Sequence, residues 1–385
     1  GTGKTTIIEN IIRQAHSRGY KINVVAPTNK AVLVLKDKGT DFTKQVANYQ
    51  TIHKLLYGEP DNMGVFKPAF KYGPGELIIV DESSMVDKSM YKDLQALVIN
   101  KGGKIIFFGD GFQLPPVGSD PKILDRADMV LKEVMRQGLK SKILSYATFI
   151  RNRAIQSRFE PILPLGSKKD VTMSKDIFQD YKQSLLNKDD SILITGSNAS
   201  RVSYNRQSRY SIYGEESNKK VVMPQEKVIS IANSKVKVNG ETFKLENPDV
   251  LGTYNVQYEG WSKKTREKIL INAKAHLIRD GKYEYLLFPN TEESSIYHQS
   301  IEQMTIPKGL WPKEGQGMSK KTTIITYGYA ITGHKSQGSQ WNNVYIDTSI
   351  FFKGENAARW LYTTVTRAAK KLYLKDNAYG KTGWN

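Results

Sequence analysis

The chain begins with Gly1-Thr2-Gly3-Lys4-Thr5-Thr6, and apolar residues then recur at helical spacing in Ile7-Ile8-Glu9-Asn10-Ile11-Ile12. Gly-Lys-Thr at the start of a helix is the second half of a phosphate-binding loop. The full pattern is a Gly, four residues and Gly-Lys-Ser/Thr after a strand. We therefore expect that strand, and the segment that selects the base, upstream of Gly1.

Each residue of this loop has a predicted role in holding ATP. The backbone amides of Gly1–Gly3, together with the helix N-terminus that includes Thr6, favour phosphate oxygens. Lys4 would reach the β- and γ-phosphates, and the Thr5 hydroxyl would ligate Mg²⁺.

Apolar strands alternate with helices along most of the chain. In the first part we predict strands at 22–26, 77–80 and 105–108, a helix from Thr28 to Lys38 closed by Gly39, and a helix from Asp87 to about Asn100. The second part has predicted strands at 192–194, 324–327, 344–346 and 372–374 and a helix at 355–369. Such alternation indicates parallel α/β layers, with ligand sites at the carboxyl ends of the strands.

Two carboxylates follow the apolar strand at 77–80. Asp81 is placed to hold the Mg²⁺ shell, and Glu82 is placed to orient and deprotonate the attacking water. The next strand leads into Gly109–Val117, where Gln113 is placed to contact the γ-phosphate or its water. The pattern predicts an ATP-hydrolysing site.

The composition indicates the kind of partner. The 385 residues carry a formal net charge of +19, which favours a polyanion, most simply nucleic acid; a basic surface kept for solubility is the alternative. No stretch approaches the about 18 apolar residues of a membrane span, so we expect no membrane partner. Cys is absent, which excludes disulfides and thiolate metal sites. We expect a monomer in the reducing cytoplasm of a bacterium or a phage-infected cell.

Further motifs follow in the order found in one helicase superfamily. They are Ala26-Pro27-Thr28, Thr51-Ile52-His53, Asp81-Glu82-Ser83-Ser84-Met85, Gly109–Val117, Leu131–Gln137, Tyr329–Gly338 and Leu361–Ala368. With them the chain resembles superfamily-1 DNA helicases of the RecD/Dda branch, and its compact size is most like the Dda-type helicases of bacteriophages.

This resemblance implies an α/β fold of two RecA-like P-loop NTPase domains. The first would span 1–128, and the second would comprise 129–224 and 319–385. Between the two parts of the second domain we expect an inserted β-rich, SH3-like subdomain at 225–318, which contains a basic helical stretch from Lys263 to Arg279. The implied activity is ATP-dependent translocation on single-stranded DNA, 5′→3′, with unwinding of duplex DNA at single/double-strand junctions.

The resemblance also implies residue roles. Arg136 and Arg367 would neutralise charge on the γ-phosphate, and Gly338 would lie against the nucleotide. The residues implied in nucleic-acid contact are Pro27, Thr28, Lys30, His53, Phe66, Pro115, His334, Lys335, Ser336 and Gln337.

Residues 57–76 form a candidate hairpin between the His53 segment and the Asp81 strand. Turn residues there are followed by the aromatic and basic stretch Val65–Tyr72. In the resembling family a hairpin at this point is the pin that splits the duplex, with Phe66, or else Phe70, as its aromatic tip. The alternative is a surface loop whose Phe side chains pack onto the body.

Two other functions remain open at this point. One is a non-motor nucleic-acid-binding module with a decayed ATPase, which the intact Lys4, Asp81 and Glu82 disfavour. The other is a motor that moves along DNA yet unwinds little.

Overall fold

The structure is a computed structural model. It describes residues 3–58, 74–116, 119–131, 141–159, 162–164, 166–231, 237, 240–261, 268–289, 323–349, 354–376 and 381–384. The chain divides into two compact units, Gly1–Leu144 and Ser145–Asn385. Residues 59–73 of the candidate pin, with Phe66 and Phe70, lie outside the described residues, as do Gly1, Thr2 and Arg136. At the two ends of the predicted range, Tyr57 ends a helix and Glu76 begins a strand.

The first unit is built on four parallel strands in the order β2-β1-β3-β4. Its strands are β1 (Lys21–Ala26), β2 (Ala47–Thr51), β3 (Glu76–Val80) and β4 (Lys104–Phe107). Its helices are α1 (Lys4–Ser17), α2 (Asn29–Lys38), α3 (Asp41–Val46), α4 (Ile52–Tyr57) and α5 (Lys88–Lys101). The helix predicted from Asp87 is capped by that residue, whose side chain accepts a hydrogen bond from the Met90 amide. Thr28, predicted as the first residue of a helix, is the N-cap of α2 and accepts from the Ala31 amide.

Helices cover both faces of this sheet. On one face, Ile8 and Ile12 of α1 pack in one cluster with Val24 and Ile79. On the other face, α4 and α5 pack against alternate strand residues, among them Val25, Ile78 and Val80. Because neighbouring strand residues point to opposite faces, only continuous apolar strands can bury both, as in the predicted parallel layer.

Helix α6 (Lys142–Ile155) contains the boundary after Leu144, and the second unit contains two larger sheets and one short strand pair. The five-stranded sheet is entirely parallel, in the order β14-β7-β15-β16-β6. These strands are β6 (Val171–Ser174), β7 (Ser191–Thr195), β14 (Ala330–Thr332), β15 (Trp341–Ile346) and β16 (Ala368–Lys375), with helices α7 (Ile177–Leu186), α8 (Asn198–Tyr213), α9 (Glu216–Lys219) and α10 (Glu355–Val365). The predicted α/β fold class is confirmed by the parallel sheets of the two units.

The six-stranded sheet has the order β10-β11-β12-β13-β8-β9 and is antiparallel except between β12 and β13. Its strands are β8 (Glu226–Ser230), β9 (Thr242–Leu245), β10 (Asp249–Trp261), β11 (Lys268–Asp280), β12 (Tyr283–Leu287) and β13 (Thr323–Tyr327), and the separate pair is β5 (Ile162–Pro164) with β17 (Lys381–Trp384). This sheet lies where a β-rich insertion was predicted.

Along the described residues, no helix combines the length and the apolar character needed to cross a membrane.

The predicted basic helix from Lys263 to Arg279 is wrong. Residues 268–280 form β11, which pairs with β10 from Trp261↔Lys268 to Asp249↔Arg279. Isoleucine and alternating small residues favour a strand here, and pairing with β10 outweighs the helical spacing of the basic residues.

The strand at 324–327 was predicted in the second α/β sheet, and this is also wrong. It is β13, which pairs with β8 and β12, while β14 lies beside β7 in the parallel sheet. The helix predicted to reach 369 ends at Val365, because β16 begins at Ala368 and pairs with β15 there.

Gly328 separates β13 from β14 at a point of close backbone approach. A Cβ at this position would lie 2.8 Å from the carbonyl carbon of Val228 and 2.9 Å from its oxygen. Both atoms belong to the backbone of β8, which cannot rotate away as a side chain can.

We therefore expect Gly328→Ala to lower the free energy of unfolding by about 1–3 kcal/mol, the usual cost of overpacking. Urea denaturation followed by circular dichroism measures this. Gly166→Ala is the matched control, since a Cβ there meets nothing within 4 Å. Equal stability of the two variants would contradict the close approach.

Candidate functional site

The parallel register of the first sheet brings several chain segments to one edge. β1, β3 and β4 all end there, and the Asp81 amide donates to the carbonyl of Val25 at 2.8 Å. The Ser83 amide donates to the carbonyl of Phe108 at 2.9 Å. These bonds hold the Asp81-Glu82 segment beside the loop that follows β4.

Lys4 points into this edge from the start of α1. Gly3 precedes it with φ 84°, a left-handed conformation that Gly adopts without strain. The Lys4 Nζ lies 3.1 Å from Asp81 Oδ1 and 3.9 Å from Glu82 Oε1. Burial by itself would lower the pKa of the Lys4 ammonium, but Glu82 and Asp81, with a further contribution from Asp110, raise it above its ordinary value. Lys4 is therefore a cation at neutral pH.

Glu82 has a left-handed backbone conformation and a buried carboxylate oxygen that can accept a hydrogen bond. Its φ is 50° and its ψ 40°, which is the left-handed region, and such a conformation costs about 1–3 kcal/mol in a residue other than Gly. Its Oε2 is buried and accepts no hydrogen bond from any described residue. A carboxylate oxygen held in this way suits the predicted role of binding and deprotonating a water.

The loop after β4 adds a third carboxylate that the sequence analysis did not assign. Asp110 Oδ1 accepts a hydrogen bond from the Phe112 amide at 3.1 Å, and the Asp110 carbonyl accepts one from Gln113 at 3.1 Å. Gln113 is buried beneath this turn. Its position in the sequence could have identified Asp110 as a site residue, because it comes shortly after β4 as Asp81 comes directly after β3.

These residues fit ATP with Mg²⁺. The N-terminus of α1 and the Lys4 ammonium suit phosphate oxygens, and Thr5 and Asp81 offer the oxygen ligands that Mg²⁺ prefers. Within the described part of the chain, no group of three His, Cys, Asp or Glu side chains forms a complete metal site.

The described residues of the first unit that were predicted to contact nucleic acid follow the ends of its strands. Pro27, Thr28 and Lys30 follow the end of β1, and an exposed His53 follows the end of β2. Pro115 lies just after Gln113. The Thr28 hydroxyl accepts a hydrogen bond from the Ala31 amide at 3.2 Å and so caps the N-terminus of α2.

In the second unit the predicted nucleic-acid segment is a short helical turn, His334–Ser336, directly after β14. His334 is exposed and Lys335 is half-buried. Ser336 differs from the prediction, because its side chain is fully buried and its hydroxyl donates to the Gly333 carbonyl at 2.6 Å. It stabilises the turn and does not present its hydroxyl to solvent. Gln337 is also buried.

Arg367 lies near Gly338 in the second unit and is nearly buried. Its guanidinium donates to the carbonyl of Thr363 at 2.9 Å and to that of Ser339 at 3.2 Å. Gly338 has φ 70°. The structure thus places Arg367 beside the residue predicted to lie against the nucleotide.

Comparison with known proteins gives matches in both parts of the chain. Residues 1–160 match the AAA domain family, and residues 327–375 match the UvrD-like helicase C-terminal domain family. The ATP-dependent RecD2 DNA helicase of Deinococcus radiodurans is 33% identical over 38% of this chain. With these matches the chain resembles superfamily-1 helicases of the RecD type.

The relatives differ in how much of their length is matched. An uncharacterized protein of Acanthamoeba polyphaga mimivirus is 25% identical over 97% of this chain and 93% of its own length. The chain spans 20% of the Deinococcus helicase. A Pif1 helicase structure with forked double-stranded DNA matches 98% of this chain and 86% of that chain, at 17% identity and a TM-score of 0.48.

Gly109 allows the two strand ends to approach. A Cβ at Gly109 would lie 2.6 Å from Ser83 Oγ and 2.7 Å from Leu124 Cδ1. We expect Gly109→Ala to displace the Asp81–Ser83 segment and to weaken ATP turnover and stability together, the latter by about 1–3 kcal/mol. Steady-state ATPase kinetics and urea denaturation measure both.

Gly111→Ala is the control within the same loop, because its Cβ would meet Leu124 Cβ at an ordinary 3.4 Å. If both substitutions left ATP turnover equal to that of the parent, the packing of this loop would not position the carboxylates.

Proposed function

We propose that this protein is an ATP-dependent DNA helicase that translocates 5′→3′ on single-stranded DNA and unwinds duplex DNA. The observation that carries the proposal is the meeting of Lys4, Asp81 and Glu82 at the carboxyl edge of the first sheet. A phosphate-binding cation, a magnesium ligand and a base for water in one place are the parts that ATP hydrolysis needs. The match of residues 327–375 to the UvrD-like helicase C-terminal domain and the similarity to the RecD2 DNA helicase support a motor over a simple ATPase.

The proposed hydrolysis assigns one task to each group. Lys4 binds the β- and γ-phosphates, Thr5 and Asp81 hold the Mg²⁺, and the free oxygen of Glu82 takes the proton of the attacking water. Gln113 orients that water. Arg136 and Arg367 neutralise the charge that spreads over the γ-phosphoryl oxygens in the transition state.

The proposed DNA contacts follow the backbone of the strand rather than its bases. A net charge of +19 supports binding to phosphates, and small polar groups near Thr28 and the exposed His334 suit contacts without sequence preference.

Glu82→Gln tests the function at its chemical step. The amide keeps the shape of the side chain but cannot take a proton, so we expect DNA-stimulated ATP turnover to fall by roughly 10²–10⁴-fold. Binding of ATP and of single-stranded DNA should stay within about twofold. Phosphate release and strand displacement on a 5′-tailed duplex are the measurements.

Three comparisons give this experiment its controls. Lys4→Ala should weaken ATP binding as well as turnover, because Lys4 contacts phosphates in the ground state too. The parent should displace strands from a 5′-tailed but not from a 3′-tailed duplex. An ATPase without strand displacement would favour a motor that unwinds little, and absent ATPase activity would favour a non-motor binding module.

We propose that the segment at 57–76 is the strand-separating pin and that Phe66 is its tip. Stacking of an aromatic ring on a base is worth about 1–3 kcal/mol, so its loss should matter at the fork and hardly elsewhere. Phe66→Ala should leave DNA-stimulated ATPase nearly intact while strand displacement drops severely. Phe70→Ala is the matched comparison. Unchanged unwinding in both variants would make these side chains packing residues.

The remaining assignments are also part of this proposal. We propose a Dda-type enzyme that acts as a monomer in the cytoplasm of a bacterium or a phage-infected cell, with RecA-like domains at 1–128 and at 129–224 with 319–385. Support comes from the position of the candidate pin and from the β-rich sheet between β8 and β13.

A further inference from the structure

Tyr329 lies between β13 and β14 and is bonded through each of its polar groups. Its amide donates to Asn205 Oδ1 of α8 at 2.9 Å, and its carbonyl accepts from the hydroxyl of Tyr181 on α7. Its own hydroxyl donates to Glu226 Oε1 of β8 at 2.9 Å. One buried residue thus joins two helices of the parallel layer to the six-stranded sheet.

Glu226 is held in turn by a buried ion pair. Arg209 Nε lies 3.1 Å from each oxygen of Glu226, and the Arg209 guanidinium lies over the Tyr327 ring at 4.3 Å. Two further donors of Arg209 reach the carbonyls of Ser217 and Lys220 at 3.0 Å. Because the charge of the buried Glu226 carboxylate is balanced by Arg209, a shift of either side chain would leave a buried charge without hydrogen bonds. The pair is therefore held in one geometry.

The segment that leads from Tyr329 to the proposed DNA contact is also fixed at its far end. The Asn205 side chain bonds the Ala330 amide and carbonyl, both at 3.0 Å. Gly333 then donates to the Thr195 carbonyl at 3.2 Å and lies so near Trp360 that a Cβ would be 2.3 Å from the indole nitrogen. His334 is the next residue. The position of Tyr329 therefore affects that of His334 through the short strand β14, whose ends are held by these hydrogen bonds.

We propose that Tyr329, Asn205 and the Glu226–Arg209 pair are positioning residues that set the His334–Lys335 turn against single-stranded DNA and couple the six-stranded sheet to it. The proposal rests on the proposed DNA-dependent ATPase. None of these four side chains needs to touch DNA, because each acts through the backbone of β14.

Tyr329→Phe tests this, because it removes only the hydroxyl that reaches Glu226. The matched control is Tyr146→Phe. Tyr146 is equally buried in the same unit, and its hydroxyl donates to the Ile162 carbonyl at 2.8 Å, away from β14. Tyr329→Phe loses the hydrogen bonds of its hydroxyl with Glu226, the Lys227 amide and the Tyr213 hydroxyl. Tyr146→Phe loses the bond to Ile162. A purely structural role therefore predicts a larger loss of stability in Tyr329→Phe, but no change of DNA response in either variant.

For Tyr329→Phe we expect the single-stranded DNA concentration that half-saturates ATPase stimulation to rise about three- to tenfold. Turnover at saturating DNA and the KM for ATP should stay within about twofold. Tyr146→Phe should leave all three values unchanged. A DNA half-saturation equal to that of the parent in Tyr329→Phe would overturn the proposal.

Amide hydrogen exchange separates this outcome from failure of the proposed function. Tyr329→Phe should speed exchange at 330–337 and in β8, whereas Tyr146→Phe should not. If the parent shows no DNA-stimulated ATPase, the proposed function fails, and exchange still tests the coupling. Equal exchange at 330–337 in both variants overturns the positioning role in either case.

Discussion

The ion pair between Lys4 and Asp81 is the contact on which the first unit's chemistry depends. It joins the first residue of α1 to the residue that follows β3, so the proposed phosphate-binding cation and the proposed metal ligand are fixed in relation to each other. The pair is only partly exposed, and a charge in such a place needs a partner. In the function that we propose, phosphate oxygens and Mg²⁺ would replace the two partners of this pair without leaving either charge uncompensated.

The second unit also contains an ion pair between buried side chains, but this pair has a structural role. Arg209 and Glu226 are more deeply buried than Lys4 and Asp81, and their hydrogen bonds are completed by carbonyls and Tyr329. No change of partner is open to them, so the pair holds a fixed geometry. A partly exposed pair therefore suits ligand exchange, whereas a saturated buried pair suits the joining of two sheets.

Local patterns predicted most of the elements of the first unit. The apolar strands that precede Asp81 and Gly109 and the cap at Asp87 are visible in adjacent residues, and the structure confirms them. The same patterns predicted the segments of Lys4, Asp81 and Glu82, which the structure brings together. Local sequence could not predict which sheet contains the strand at 324–327, since the strand is apolar enough for either sheet. Its pairing with β8, which is distant in sequence, places it in the six-stranded sheet. The left-handed backbone of Glu82 and the burial of Ser336 depend on neighbours distant in sequence, so no spacing reveals them.

The contact between Gly333 and Trp360 gives this protein a built-in optical reporter. The Trp360 indole is fully buried and lies directly against the backbone that precedes His334. Indole emission responds to the polarity and motion of its surroundings, and the chain contains five Trp residues. With the other four replaced by Phe, the fluorescence of Trp360 would report changes at the turn that we propose to contact DNA, in real time and with no attached dye.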